Sequence, residues 1–240
     1  MLEARSLSKL YGRHTALDRL DLRIAPGEVF CLLGPNGAGK TTTVNLFLNL
    51  VQPSGGQALV DGIDSARDPL GARRRLAYIP ENVMLYGRLT GLENLRYFVE
   101  LGTGRSLAPD RALALLQQAG LEDAAHRQPV AGYSKGMRQK VGVAIALARQ
   151  AQALLLDEPT SGLDPLAAHQ FAALIQRLSL QGMAVLMVTH DLFLAQQCGT
   201  RVGIMQQGRL VQTLSTADTH FHSLEQAYLA AARRAWQAAA

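Results

Sequence analysis

The chain has 240 residues, 48% of them hydrophobic and 18% charged, with 22 glycines and a formal net charge of +5. That length carries a full core, and the composition is globular rather than disordered or fibrous. No run approaches the roughly 18 apolar residues that span a bilayer, and Glu3, Arg5, Lys9 and Arg13 interrupt any apolar leader, so a cytoplasmic protein is expected.

Leu20, Leu22 and Ile24 alternate with charged residues, as in a strand with one wet face, and the Pro26-Gly27 turn leads into the buried-strand run Val29–Leu33. A glycine-rich loop follows, after which Val44, Phe47, Leu48 and Val51 recur at helical spacing. The turn signals at 53–56 precede a strand predicted over 58–63, and another is predicted over Leu76–Ile79. From residue 82 to about 150 the pattern is helical. Thr90 and Glu93 form a capping box ahead of Leu92, Leu95 and Val99, and a helix beginning at Pro109 stops at Gly120. This stretch is expected to be an inserted helical lobe.

A second series follows, with strands at 154–156 and 184–189 flanking a helix that Asp164-Pro165 starts and that presents Phe171, Leu174, Ile175 and Leu178. Strands alternating with helices predict an α/β fold with a mostly parallel sheet. The expected division is one domain over 1–214, with the lobe at 82–150, and a helical tail over 215–240. In the tail, Leu229, Ala232 and Trp236 lie beside Arg233 and Arg234, a face for docking on the chain's own domain or on a partner or membrane surface.

Gly34, Pro35, Asn36, Gly37, Ala38, Gly39, Lys40 and Thr41 fit G-x-x-x-x-G-K-[ST] between a predicted strand and a predicted helix. Glycines let backbone N–H groups turn toward phosphates, the helix start adds partial positive charge, Lys40 reaches the β- and γ-phosphates, and Thr41 ligates magnesium. Asp157 and Glu158 follow a strand at the end where open α/β sheets hold ligands. Asp157 suits a magnesium ligand and Glu158 a general base for an attacking water. A solvated acidic loop is the competing reading of that pair.

Tyr133-Ser134-Lys135-Gly136-Met137-Arg138-Gln139 opens another predicted helix. With the phosphate loop and the Asp-Glu pair, it resembles the signature of ABC ATPases, normally L-S-G-G-Q, from which Lys135 and Met137 depart. The resemblance runs from about residue 2 to about 212 and implies a P-loop NTPase fold with an antiparallel β subdomain and an inserted helical lobe. It further implies ATP and Mg2+ as cofactors, with Tyr11 stacking on adenine and Thr42 joining the phosphate loop. Ser134 and the N–H of Gly136 would contact the γ-phosphate of ATP held by a second subunit. Residues 161–164 resemble the D-loop and His190 the switch histidine. Glu81 stands at the Q-loop position, where glutamine is expected and where a residue links magnesium to the partner interface; with the signature it resembles the branch serving ABC-2-type exporters.

The expected partners are a membrane-spanning transporter subunit and a second ABC subunit, in a homodimer or a pair, peripheral to the membrane on its inner face. No nucleic-acid partner is expected, because Arg73, Arg74 and Arg75 are the one basic cluster. A soluble ABC ATPase acting on nucleic acid or the ribosome, and a regulatory ABC ATPase without transport, remain the alternatives. Cys31 and Cys198 have neither metal-ligand nor redox spacing and are expected to be reduced and structural.

Overall fold

The computed structural model describes the backbone of residues 1–239 and the side chains of 1–232. Its centre is a six-stranded sheet in the order β10-β9-β3-β8-β7-β6. These strands are β3 (Val29–Leu33), β6 (Leu76–Ile79), β7 (Ala153–Asp157), β8 (Ala184–Val188), β9 (Arg201–Gln206) and β10 (Arg209–Ser215). All neighbours pair in parallel except the β9–β10 hairpin.

The apolar runs of the central strands fill cores on both faces, as a covered parallel sheet requires. Val29, Cys31 and Leu33 point into one core and Phe30 and Leu32 into the other; Leu154 and Leu156 oppose Ala153 and Leu155 in the same way. On the second face lie helix α1 (Lys40–Phe47) and a four-stranded antiparallel sheet, β2-β1-β4-β5. Its strands are β1 (Leu2–Tyr11), β2 (His14–Ile24), β4 (Gly55–Val60) and β5 (Ile63–Asp64).

The strand expected over 58–63 is therefore two. Asp61 and Gly62 both adopt positive φ, 49° and 80°, the backbone of a tight hairpin turn, and reverse the chain between β4 and β5. Helix α2 (Pro69–Arg75) was not anticipated, although Asp68 caps it by accepting from the Gly71 N–H and Pro69 sits at its first turn. It also gives two arginines of the cluster their partners. Arg73 donates to the Leu48 carbonyl at the end of α1, and Arg75 pairs with Asp61.

Helices α3 (Gly91–Thr103), α4 (Pro109–Gln118) and α5 (Lys135–Ala148) pack on one another to form the lobe. The Thr90–Glu93 capping box forms in both directions, and Gly120 takes positive φ after α4. The first helix of the lobe starts at Gly91, so 82–90 is irregular chain. Helices α6 (Pro165–Leu180), α7 (Leu192–Cys198) and α8 (Phe221–Ala239) complete the first face. Leu224 of α8 is buried and Tyr228 packs on the same core, so this part of the helix docks on its own domain, with Leu229 outward. Arg233, Arg234 and Trp236 lie outside the described side chains. No described helix is long and apolar enough to cross a membrane.

Candidate nucleotide site

Because β3, β6, β7 and β8 run parallel, the loops after all four emerge at one edge of the sheet. They carry the phosphate loop, Glu81, Asp157 with Glu158, and His190.

The phosphate loop is held from outside. The Gly208 N–H donates to the Ala38 carbonyl at 3.0 Å, and the Asp18 N–H donates to the Gly208 carbonyl at 2.9 Å. Gly39, the N-cap of α1, has φ 105°, and a Cβ there would sit 2.5 Å from the Ala16 carbonyl oxygen, so only glycine fits. No side chain caps α1 at Gly39, which leaves its first N–H groups for a ligand. Lys40 is buried and donates from Nζ to the carbonyls of Gly34 at 2.6 Å and Pro35 at 3.1 Å. Burial lowers its pKa, against the opposing pull of Glu158 and Asp157. The acidic pair thus lies within electrostatic reach of the lysine.

A cavity of about 250 Å³ opens over this loop, lined by Tyr11, His14, Ala16, Asn36, Gly37, Ala38, Gly39, Lys40, Thr41 and Thr42. Tyr11 and His14 face each other across the β1–β2 hairpin. Tyr11 is 46% exposed, and Lys9 Nζ lies 4.9 Å from its ring centroid, anchored by donating to the Gln52 carbonyl. Neither Lys9 nor His14 was assigned to the site from the sequence; Lys9 shares the face of Tyr11 two residues along β1, and His14 is its register partner on β2.

At the end of β7, burial is the main cause that raises the Asp157 pKa, with the charges of Glu158 and Glu81 adding to it; Lys40 and a hydrogen bond from Tyr78 act the other way. Glu158 takes positive φ, 46°, and its N–H donates to the Val188 carbonyl at 2.8 Å, which locks the turn onto β8. Its carboxylate accepts from Thr189 Oγ1 at 3.2 Å and lies 2.9 Å from His190 Nδ1. Tyr78 and Thr189 were missed in the sequence; each is brought to the acidic pair by a neighbouring strand.

Ser134 and Gly136 stand elsewhere. Ser134 is the exposed N-cap of α5 and accepts from the Met137 N–H at 3.3 Å. With Gly136 it borders a different cavity of about 260 Å³, shared with Lys140, Asp164 and Gln170, and neither residue lines the phosphate-loop cavity of its own subunit. Glu81, half exposed, is held below the usual carboxylate range by the Ser161 hydroxyl first and then by Lys135. Among the described residues no group of three or more His, Cys, Asp or Glu side chains could hold a metal ion. A magnesium ion here would need oxygens from the nucleotide as well.

A glycine-rich loop between β3 and α1, with a buried lysine in electrostatic reach of two acids at the end of β7, two strands away, defines a P-loop nucleotide-binding protein. The sequence comparisons place it more narrowly. The family described as ABC transporter matches residues 17–161, and the chain belongs to that family. It is 36% identical over 212 residues to the probable multidrug ABC transporter ATP-binding protein YbhF of Escherichia coli (strain K12), covering 88% of this chain. The chain spans only 36% of the length of that relative. It is 34% identical to the uncharacterized ABC transporter ATP-binding protein YhcH of Bacillus subtilis (strain 168), covering 94% of this chain and 76% of that one. The daunorubicin resistance ATP-binding protein DrrA2 of Streptomyces coeruleorubidus is 39% identical, with 88% and 65% covered. Among solved structures, a dimeric ATP-binding cassette in a post-hydrolysis state bound to ADP and Pi superposes with TM-score 0.78 at 27% identity, over 90% of this chain and 99% of that one. An ATP-binding subunit of an ABC transporter reaches 0.81 at 30% identity, over 95% and 99%.

Proposed function

We propose that this chain binds and hydrolyses ATP at sites shared between two cassettes, and that their pairing drives a separate membrane-spanning transport partner. The observation that carries the reading is the separation of Ser134 and Gly136 from the phosphate-loop cavity. One subunit supplies the cradle, and the signature turn faces outward where a second subunit's nucleotide can meet it.

In this reading the N–H groups of residues 36–42 and the start of α1 hold the phosphates, while Tyr11 stacks on the base with the face opposite Lys9. Lys40 leaves the Gly34 and Pro35 carbonyls for the β- and γ-phosphates, exchanging neutral acceptors for anionic ones. Thr41 and Asp157 would hold magnesium, which neutralises phosphate charge when bound. Glu158 orients the attacking water and takes its proton, and His190 holds the Glu158 carboxylate in place.

The partner site follows from the apolar surface beside Glu81. A groove of about 280 Å³ between the loop after β6 and the lobe is lined by Ile79, Pro80, Val83, Met84, Leu85 and Phe98, among others, and Met84 is 82% exposed. This groove suits a helix end of the membrane partner. The functional units are the cassette over 1–214 and the tail over 215–240. Nucleic-acid binding is disfavoured because Arg73 and Arg75 are engaged within the domain. The deciding experiment is chromatography of Glu158→Gln with and without ATP and magnesium: an ATP-trapped dimer supports the reading, and a variant that binds nucleotide yet stays monomeric overturns it.

A further inference from the structure

Two positions depart from the ABC signature and Q-loop patterns by gaining a charge: Glu81 where a neutral glutamine is expected, and Lys135 where a glycine is expected. They lie 54 residues apart in sequence, yet Lys135 Nζ is 3.4 Å from Glu81 Oε1. The departures have opposite sign and meet. Lys135 has no other ion-pair partner among the described residues.

The same two segments are joined a second time, more deeply. Gln139, one turn further along α5, is fully buried and donates from Nε2 to the carbonyls of Pro80 at 3.3 Å and Glu81 at 3.1 Å. At Gly142 a Cβ would lie 3.6 Å from the side chains of Ile79 and Val83, so α5 passes close to the segment around Glu81 there as well. The inner half of this joint is desolvated and fixed, because an amide that lost both acceptors would stay buried without partners. Its outer half is the ion pair, with the Glu81 side chain 48% and the Lys135 side chain 25% exposed, and so it responds to charge and salt. Lys135 directly follows Ser134, the N-cap of α5. Restraining Lys135 therefore restrains the turn that presents Ser134 and Gly136. The Ser161 hydroxyl also helps to lower the Glu81 pKa, so the carboxylate responds to the loop after β7 as well as to the start of α5.

We propose that Glu81 and Lys135 form a matched ion pair that positions the signature turn on the sheet edge, so that ATP-driven pairing of two cassettes depends on their opposite charges. The proposal rests on the shared-site reading above. Both are positioning residues: each acts through the placement of Ser134 and Gly136. An exposed pair has a modest effect, so a shift of about threefold to fivefold in the ATP needed for pairing is expected.

The test uses the full chain carrying Glu158→Gln and reads the dimer fraction by light scattering across an ATP-magnesium series. E81Q and K135Q should each raise the ATP needed for half-pairing about threefold to fivefold. The neutral double E81Q/K135Q should be no worse than the poorer single, because the second change removes a charge that has already lost its partner. The swap E81K/K135E should return to within about twofold of the parent. Raising salt from about 0.05 to 0.5 M should bring the parent toward the singles and leave the neutral double in place, which a purely steric role would not do. Single variants that pair like the parent, or single effects that multiply in the double, overturn the ion-pair role alone. If the swap does not fold, the neutral double and the salt series still decide it. A Glu158→Gln parent that binds ATP without pairing overturns the shared-site reading itself, and the positioning role with it.

Discussion

His190 Nδ1 lies 2.9 Å from Glu158 Oε1, and Thr189 Oγ1 donates to the other oxygen of the same carboxylate at 3.2 Å. Both contacts come from the two residues that follow β8 and reach the residue that follows β7. The carboxylate is thus held from the neighbouring strand, which suits a group that must aim at a water rather than wander in solvent.

Replacing that carboxylate by an amide keeps its shape and its contacts with Thr189 but removes the basicity. Glu158→Gln is expected to bind ATP as the parent does and to lose turnover about a hundredfold or more. Phosphate release and nucleotide binding, measured on the same preparation, check this.

Lys40→Ala removes the cation at the start of α1 and should weaken ATP binding and hydrolysis together. Binding by calorimetry is the discriminating measurement. Wild-type affinity in this variant would show that the phosphate loop lies elsewhere.

Ser134→Arg is expected to leave nucleotide binding to an isolated subunit unchanged, because Ser134 does not line that subunit's phosphate cavity. Its bulk should block pairing on ATP. Mixed with Lys40→Ala, it should permit one intact shared site per mixed dimer, read as partial recovery of ATP-dependent pairing. Loss of nucleotide binding in the Ser134 variant alone would refute the assignment to the partner's nucleotide.

Burial is the main cause that raises the Asp157 pKa, so the folded protein holds that proton more readily than the unfolded chain does. The sign follows. The ionised carboxylate costs stability above the folded pKa, and the cost disappears below the unfolded value, about 3.9, where both states are protonated. Asp157→Asn should therefore raise the melting temperature of the nucleotide-free protein at pH 7, with the gain shrinking as the pH falls through that window. Thermal melts of both proteins at several pH values test it; a gain that grows toward acid pH would contradict the assignment. The same change should weaken magnesium-dependent nucleotide binding, the cost of removing an acid from the site.

Much of this protein was legible in the chain because the determinants are local. Gly39 is required by one φ angle and one nearby carbonyl, and the Gly-rich loop between an apolar run and a helical pattern carries its own context. The Thr90–Glu93 box, Gly120 and Asp164-Pro165 act within a few residues of themselves, and each starts or stops a helix where the pattern says. Short-range signals were weaker for α2 and for the turn at Asp61, where a brief helix and a two-residue turn leave too few residues to show a period. What no local pattern contains is distance between segments. The contacts of Tyr78 and Thr189 with the acidic pair, the anchoring of Lys9 by the Gln52 carbonyl and the meeting of Glu81 with Lys135 all depend on which segments the fold lays side by side. The sequence by itself determined the phosphate loop, the acids and the family to which they belong. Only the packed sheet, whose parallel order brings four loop ends to one edge, decided which charges face one another and which face outward.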